Sequence, residues 1–454
     1  GVTLHLMVQR VIYLCVFLIA FSCKNVFATH AAGMDITYEC ISSGSTFDTY
    51  EVTVRFYRDC GSNSPAPSSL SLSYSSSCGS GATTLSLTNW NPNFITPLCA
   101  GASSPCTNNQ IVELEEYIYR GNITLTSCDD WVLSAWLTGN RNNAISTINN
   151  PGSQNLYVQA EINNLNICNN SPSFTEYPAP YICVGQSYCY NNGAIDIEGD
   201  SLVYSLETPL INSSGGGVTY ITGFSPSNPI TGSTTFDQLT GDLCMTGTQT
   251  QVSVLAMKIT EYRGGVKIGS VLRDIQIIVL NCLTTPPVLS GFDGVPQDVT
   301  NAALEDDSLH FCVNGSDNIM FDIECNLGSS NAKIMSWSGI NNVPTASFSI
   351  TNNNSNAPYG TFQWIPQYSD VINSPFTFTV NVVDDGCPIN NVFSYTYTIS
   401  LHADSNYVLT YNTTSPTCIG DNDASIDISI SGLVSTPTIT WSGPSSFSAS
   451  TQNI

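Results

Sequence analysis

The stretch Phe376-Thr-Phe-Thr-Val-Asn-Val-Val-Asp-Asp-Gly386, followed by Phe393-Ser-Tyr-Thr-Tyr-Thr-Ile-Ser-Leu401, decides the fold class. Phe376, Phe378, Val380 and Val382 alternate with Thr377, Thr379 and Asn381, and Phe393, Tyr395, Tyr397, Ile399 and Leu401 repeat the alternation beyond the Asp-Asp-Gly turn. Side chains of a strand point to opposite faces in turn, so a period of two marks strands with one face buried, here a strand, a turn and a second strand. The same period recurs upstream, as in Val52, Val54 and Phe56 against Thr53, Arg55 and Tyr57. Gly, Pro, Asn and Ser break these runs at short intervals, and no segment carries a sustained 3.6-residue period with caps at both ends. The expected fold is all-β: tandem Ig-like or cadherin-like β-sandwich domains stapled by disulfides.

Composition narrows the class further. Of 454 residues only 10% are charged while 42% are hydrophobic, so Ser, Thr, Asn and Gln must supply most of the polar surface. The 18 Phe, 21 Tyr and 6 Trp are enough to fill cores, which excludes a disordered chain. With 11 basic against 35 acidic residues the net charge is −24, and no Lys or Arg follows Lys333. Binding to phosphate backbones needs basic patches, so nucleic acid is excluded as a partner. Acidity instead favours bound cations.

The amino-terminal residues 1–28 read as a secretory signal peptide starting at Met7, with an apolar run from Val11 to Phe21 and a Val-Phe-Ala28 cleavage site. Eleven apolar residues are too few to span a bilayer, and no later stretch is long enough, so no integral membrane segment is expected in the mature chain. The expected location is extracellular, at the cell surface. Loop composition and a repeated strand pattern then divide the chain into a Cys-rich β domain at 29–168, sandwiches at 169–284 and 285–402, and a truncated repeat at 403–454. The last unit stops in mid-pattern, as expected of an amino-terminal piece of a longer protein.

In an exported protein, scattered cysteines without CxxC pairs or neighbouring His predict disulfides, not zinc. The candidates are Cys40, Cys60, Cys78, Cys99, Cys106, Cys128, Cys168, Cys183, Cys189, Cys244, Cys282, Cys312, Cys325 and Cys387, with connectivity open.

Three stretches carry a family resemblance. Asp196-Ile-Glu-Gly-Asp-Ser-Leu-Val-Tyr204 with Leu239-Thr-Gly241, and Gly360-Thr-Phe-Gln-Trp-Ile-Pro366, resemble cadherin-like and Ig-like repeats of bacterial surface proteins. Ser415-Pro-Thr-Cys-Ile-Gly-Asp-Asn-Asp-Ala-Ser-Ile-Asp-Ile428 with Thr440-Trp-Ser-Gly-Pro444 resembles the opening of an SprB-type repeat, although Ala424 stands where that repeat usually has Gly. The resemblance is to large surface adhesins of Bacteroidetes. It implies export by type IX secretion and, in some members, a link to gliding motility, but it names no ligand.

Several residues invite a chemical reading. Asp196, Glu198 and Asp200 place three carboxylates at alternate positions before a strand, a pattern that suits the hard oxygen preference of calcium or, more plainly, a solvated acidic turn. Asp384-Asp385, Asp421 and Asp423 read as turn residues. Gly199-Asp-Ser-Leu202 spells the motif of GDSL esterases, with Asp307-Ser-Leu-His310 in the spacing of the other triad members. A nucleophilic Ser of that kind sits on a strand-to-helix turn, whereas Ser201 leads into the alternation of a strand. Glu113, Glu115 and Glu116, and Asp129-Asp130, could serve glycoside hydrolysis only at a fixed separation across a cleft, and otherwise are surface strand residues. Trp90, Trp131 and Trp136 are core residues or sugar platforms.

These features point to a non-enzymatic exported adhesin or filament component, needing no cofactor except calcium as an optional stiffener, with glycans, surfaces or other envelope proteins as partners. Two rivals stand beside it: accessory modules of a secreted hydrolase, and a purely structural envelope protein.

Overall fold

The computed structural model describes residues 31–61, 65–99, 113–139, 141–165, 167–178, 181–282 and, with breaks, 285–454. The expected signal peptide lies outside the described residues. The chain is all-β, as its alternation predicts, and among the described residues no helix is long and apolar enough to cross a membrane.

The largest sheet begins with β1 (Ala31–Ser43), β2 (Phe47–Asp59), β3 (Ser69–Ser76), β4 (Gly79–Leu87), β5 (Asn93–Phe94), β6 (Leu114–Thr126), β7 (Trp131–Leu137) and β8 (Leu156–Ile162). Seven of these pair in the order β1-β2-β6-β4-β3-β7-β8, with β5 on β6. Their inward rows, such as Met34, Ile36 and Tyr38 facing Tyr50, Val52 and Val54, are essentially inaccessible to solvent.

The second expected unit supplies β9 (Ser173–Phe174), β10 (Tyr181–Cys183), β11 (Ser187–Tyr190), β12 (Ala194–Ile195), β13 (Ser201–Glu207), β14 (Gly232–Phe236), β15 (Leu243–Gly247), β16 (Gln251–Arg263) and β17 (Val266–Leu280). Along one edge β17 pairs β16. The other edge receives β8 at 269–271, β1 at 273–274 and β10 at 278–280. Both ends of the first unit's sheet thus meet on one strand, and the pairings close into a circuit.

The expected boundary between 168 and 169 is therefore corrected: it crosses a continuous sheet instead of separating two sandwiches. The physical reason lies in β17, whose run Ile275-Gln-Ile-Ile-Val-Leu280 is buried on both faces, and in the unpaired backbone that β1, β8 and β17 would each present alone. The small sheet β11-β15-β14 closes over the same core through Tyr188, Tyr190, Leu243 and Met245.

The third unit is two facing sheets. One is β18-β21-β24-β23, made by Val288–Leu289, Ile319–Asn326, Tyr359–Trp364 and Ser347–Thr351. The other is β19-β20-β26-β25-β22, made by Ala302–Leu304, Ser308–Val313, Val392–Ala403, Phe376–Asp384 and Lys333–Ser338. The decisive hairpin is β25 and β26, with Phe376 opposite Ile399 and Phe378 opposite Tyr397. Phe378 stacks on Phe362 at 4.8 Å and on Tyr397 at 5.3 Å, joining the two sheets. Two hairpins, β27 (Val408–Thr414) with β28 (Ser425–Ser431) and β29 (Trp441–Gly443) with β30 (Phe447–Ala449), complete the chain.

Among the described residues five disulfides have both cysteines: Cys40–Cys168, Cys78–Cys128, Cys99–Cys387, Cys183–Cys282 and Cys189–Cys244. Cys60 is also disulfide-bonded, while Cys106 lies outside the described residues. Two expected candidates are corrected, since Cys312 and Cys325 are free thiols. Cys312 points outward from β20 and Cys325 inward from β21, so the two belong to different sheets of the sandwich and face different ways.

Candidate functional site

The turn between β12 and β13 and the end of β16 bring three carboxylates together. Oxygens of Asp196, Asp200 and Glu261 all lie within 4.8 Å of one another. Local sequence builds half of this arrangement: the backbone N–H of Asp200 donates to Asp196 Oδ1 at 2.8 Å, and Gly199 takes a φ of +81° that lets the chain double back. The other half comes from register. Leu202 on β13 stands opposite Glu261 on β16, and Glu261 continues the inward row Leu255, Met257 and Ile259. It is 0% exposed and Asp196 is 5% exposed.

Neighbouring polar groups satisfy part of the cluster. Arg263 clamps Asp200 with Nε to Oδ1 at 2.7 Å and Nη2 to Oδ2 at 2.5 Å, and Nη2 also donates to Asn169 Oδ1. Asn169 Nδ2 donates to Glu261 Oε2. Asp196 Oδ2 and Glu261 Oε1 are buried without a hydrogen-bond partner. Burial, joined by the charges of Asp196, Asp200 and Glu198, pushes the Glu261 carboxyl up to about 8 against the opposing Asn169 hydrogen bond. Burial likewise raises Asp196, with the Asp200 and Glu198 charges adding to it and the backbone N–H groups of Asp200 and Gly199 opposing it. Such a pocket can hold a hard cation or a proton.

The structure thus brings together two of the three carboxylates singled out in the sequence. Glu198 is not in the cluster: it is exposed and accepts from Asn170 N at 3.1 Å and from Asn170 Nδ2. The alternation that spaces the three residues before a strand carries no information on which way the turn folds them. Glu261 is the residue that sequence reasoning missed, and its signal was present as a Glu in the inward phase of an apolar strand.

A second group, Cys78, Cys128 and Asp130, has metal-like spacing, but the two sulfurs are bonded to each other and offer no thiolate. Ser201 opens strand β13 and is exposed, as its alternation predicts. His310 lies against His402, Nδ1 to Nε2 at 3.2 Å, and Asp307 lies outside the described residues. Glu115 and Glu116 are consecutive on β6 and therefore face opposite ways, Glu115 to Arg58 and Glu116 to Arg55 at 3.5 Å. Asp130 caps the turn at Ser77, and Asp423 accepts from Thr417 N at 3.0 Å and from the Thr417 hydroxyl, six residues back along the chain, which closes a loop but is not an Asx turn. Trp131 is buried against Tyr74, Trp136 stacks on Tyr157, and Trp90 is 72% exposed.

No family model matches the sequence, and no curated protein matches it.

Proposed function

We propose that the chain is part of a non-enzymatic, exported cell-surface adhesin or filament, acting by bearing load and attaching to surfaces or glycans. The observation that carries this reading is the continuity between successive units. Strand β17 is shared by two of them, and Cys99–Cys387 ties the first to the third across a sequence separation of 288 residues. Links of this kind stop a pulled chain from being peeled apart unit by unit, a property useful to a surface arm and superfluous in a freely diffusing enzyme. Contact residues follow from exposure: Trp90 and Phe94 project 72% and 58% exposed, and such aromatic faces suit stacking on sugar rings. Export by type IX secretion and a link to gliding enter this reading through the resemblance alone.

The test displays the intact chain on a non-adherent carrier cell and scores attachment to glycan-coated and bare surfaces under flow. Attachment above the carrier, reduced by Trp90→Ala with Phe94→Ala, is expected. A displayed, folded chain that raises attachment on no surface overturns the proposal.

A further inference from the structure

We propose that Asp196, Asp200 and Glu261 hold a calcium ion that ties the turn before β13 to strand β16. Two observations carry this beyond the mere presence of acidic residues. First, Asp196 Oδ2 and Glu261 Oε1 are buried oxygens with no donor in reach among the described residues, although both residues are more than nine-tenths buried. A buried acceptor without a partner is costly, more so when charged, and two of them facing one pocket ask for a ligand. Second, the pocket is already braced on its outer sides. Asn169 holds one Glu261 oxygen and the Asp200 amide holds one Asp196 oxygen, leaving Asp196 Oδ2 and Glu261 Oε1 free for an ion, while both Asp200 oxygens are held in place by Arg263 and would reach the ion through their remaining lone pairs.

Charge and size select the ion. Three carboxylates face one Arg263 guanidinium, leaving negative charge for a divalent cation to balance. The three carboxylates offer oxygens within 4.8 Å of one another, close enough to share one ion, and calcium, which takes about six to eight hard oxygen ligands at about 2.3–2.6 Å in flexible geometry, suits such an irregular all-oxygen set. Magnesium, at about 2.0–2.1 Å, needs a tighter octahedron and keeps its waters, and zinc prefers nitrogen and sulfur. Gly269 packs closely against one side of the cluster, since a Cβ there would lie 3.0 Å from Glu261 Oε1 and 2.4 Å from the Tyr38 hydroxyl. Bound calcium would fasten together β13, β16 and, through Asn169, the segment beside Cys168. The inference concerns ion binding by the folded chain and does not depend on the adhesive reading.

The test is calorimetric titration of the chelator-treated chain with calcium, paired with thermal unfolding in calcium and in chelator. Saturable binding and a higher unfolding midpoint in calcium are expected. Glu261→Gln keeps the side-chain volume and an acceptor for Asn169, so it should fold while losing on the order of tenfold or more in calcium affinity. Asp196→Asn should do the same, and Glu198→Gln should leave binding intact. The proposal is overturned if the wild-type chain shows no calcium-dependent shift, if both Glu261→Gln and Asp196→Asn retain the full response, or if magnesium alone reproduces it.

Discussion

Glu161 is held by Lys258 at 3.3 Å, by Lys267 and by the Ser270 hydroxyl. Burial alone would raise its pKa, but the Lys267 and Ser270 hydrogen bonds and the two ammonium charges outweigh it and bring the carboxyl from 4.5 down to about 2. A depressed folded pKa means that this stabilisation is fully present above the unfolded value and is lost as pH falls from about 4.5 through about 2. Glu161→Gln should therefore destabilise the chain by at most about 3 kcal/mol near neutral pH and by almost nothing near pH 2. Urea unfolding of both proteins across this range checks it, and a difference independent of pH would contradict it. A second residue gives a larger effect. Arg141 places Nη1 3.0 Å and Nη2 2.5 Å from the carboxylate of Asp274, both side chains being buried. Arg141→Met would strand a buried carboxylate, with an expected loss of about 3–5 kcal/mol in the same assay. Neither pairing is legible in the sequence, because 133 residues separate Arg141 from Asp274 and only the docking of β17 brings them together. Asp196 and Asp200 were legible as a pair because one turn closes them locally.

Among the elements, β17 departs most from what its sequence suggests. Its apolar run was readable as a strand, but a run buried on both faces says nothing about which strands flank it. The structure places β1 against it at Arg273 and Asp274, a contact that depends on Gly33. A Cβ at Gly33 would stand 2.5 Å from the backbone oxygen of Asp274, and backbone cannot yield as a side-chain tip can. Gly33→Ala should force β1 away from β17 and cost about 1–3 kcal/mol. Faster amide exchange confined to β1 and the central part of β17 is the expected signature, and unchanged protection there would show that the two strands are not locked by this approach. The hairpin of β25 and β26 is the opposite case. Its alternation, turn and inward aromatic row were all present in the sequence, since hairpin register is set locally by the turn and by which face is apolar.

At the scale of the whole molecule, disulfide formation could be expected from the number of cysteines and the export signal read in the sequence, whereas connectivity could not, because it depends on folding contacts far apart in the chain. Cys99–Cys387 is the bridge that matters most for mechanics, with Cα atoms 5.2 Å apart and the Leu98–Ile389 backbone bridge beside it. Polar contacts accompany the join, as where Asn381 Nδ2 donates to Glu176 at 2.8 Å and Thr396 Oγ1 donates to Asp242 at 2.9 Å. A cross-link closing so long a loop would remove roughly 5–6 kcal/mol of unfolded-state entropy on chain statistics, but Cys183–Cys282 already shortens the path, so about 2–5 kcal/mol is the expected contribution. Replacing Cys99 and Cys387 together by Ser should split calorimetric unfolding, with the sandwich of residues 288–403 melting first while the shared sheet keeps its own transition. The loss must appear as decoupling, since neither cysteine belongs to the inner core of either body. A single transition at an unchanged midpoint would mean that the apolar and polar contacts alone hold the two bodies together, and that the continuity on which the load-bearing reading rests is carried by packing, not by the covalent bond.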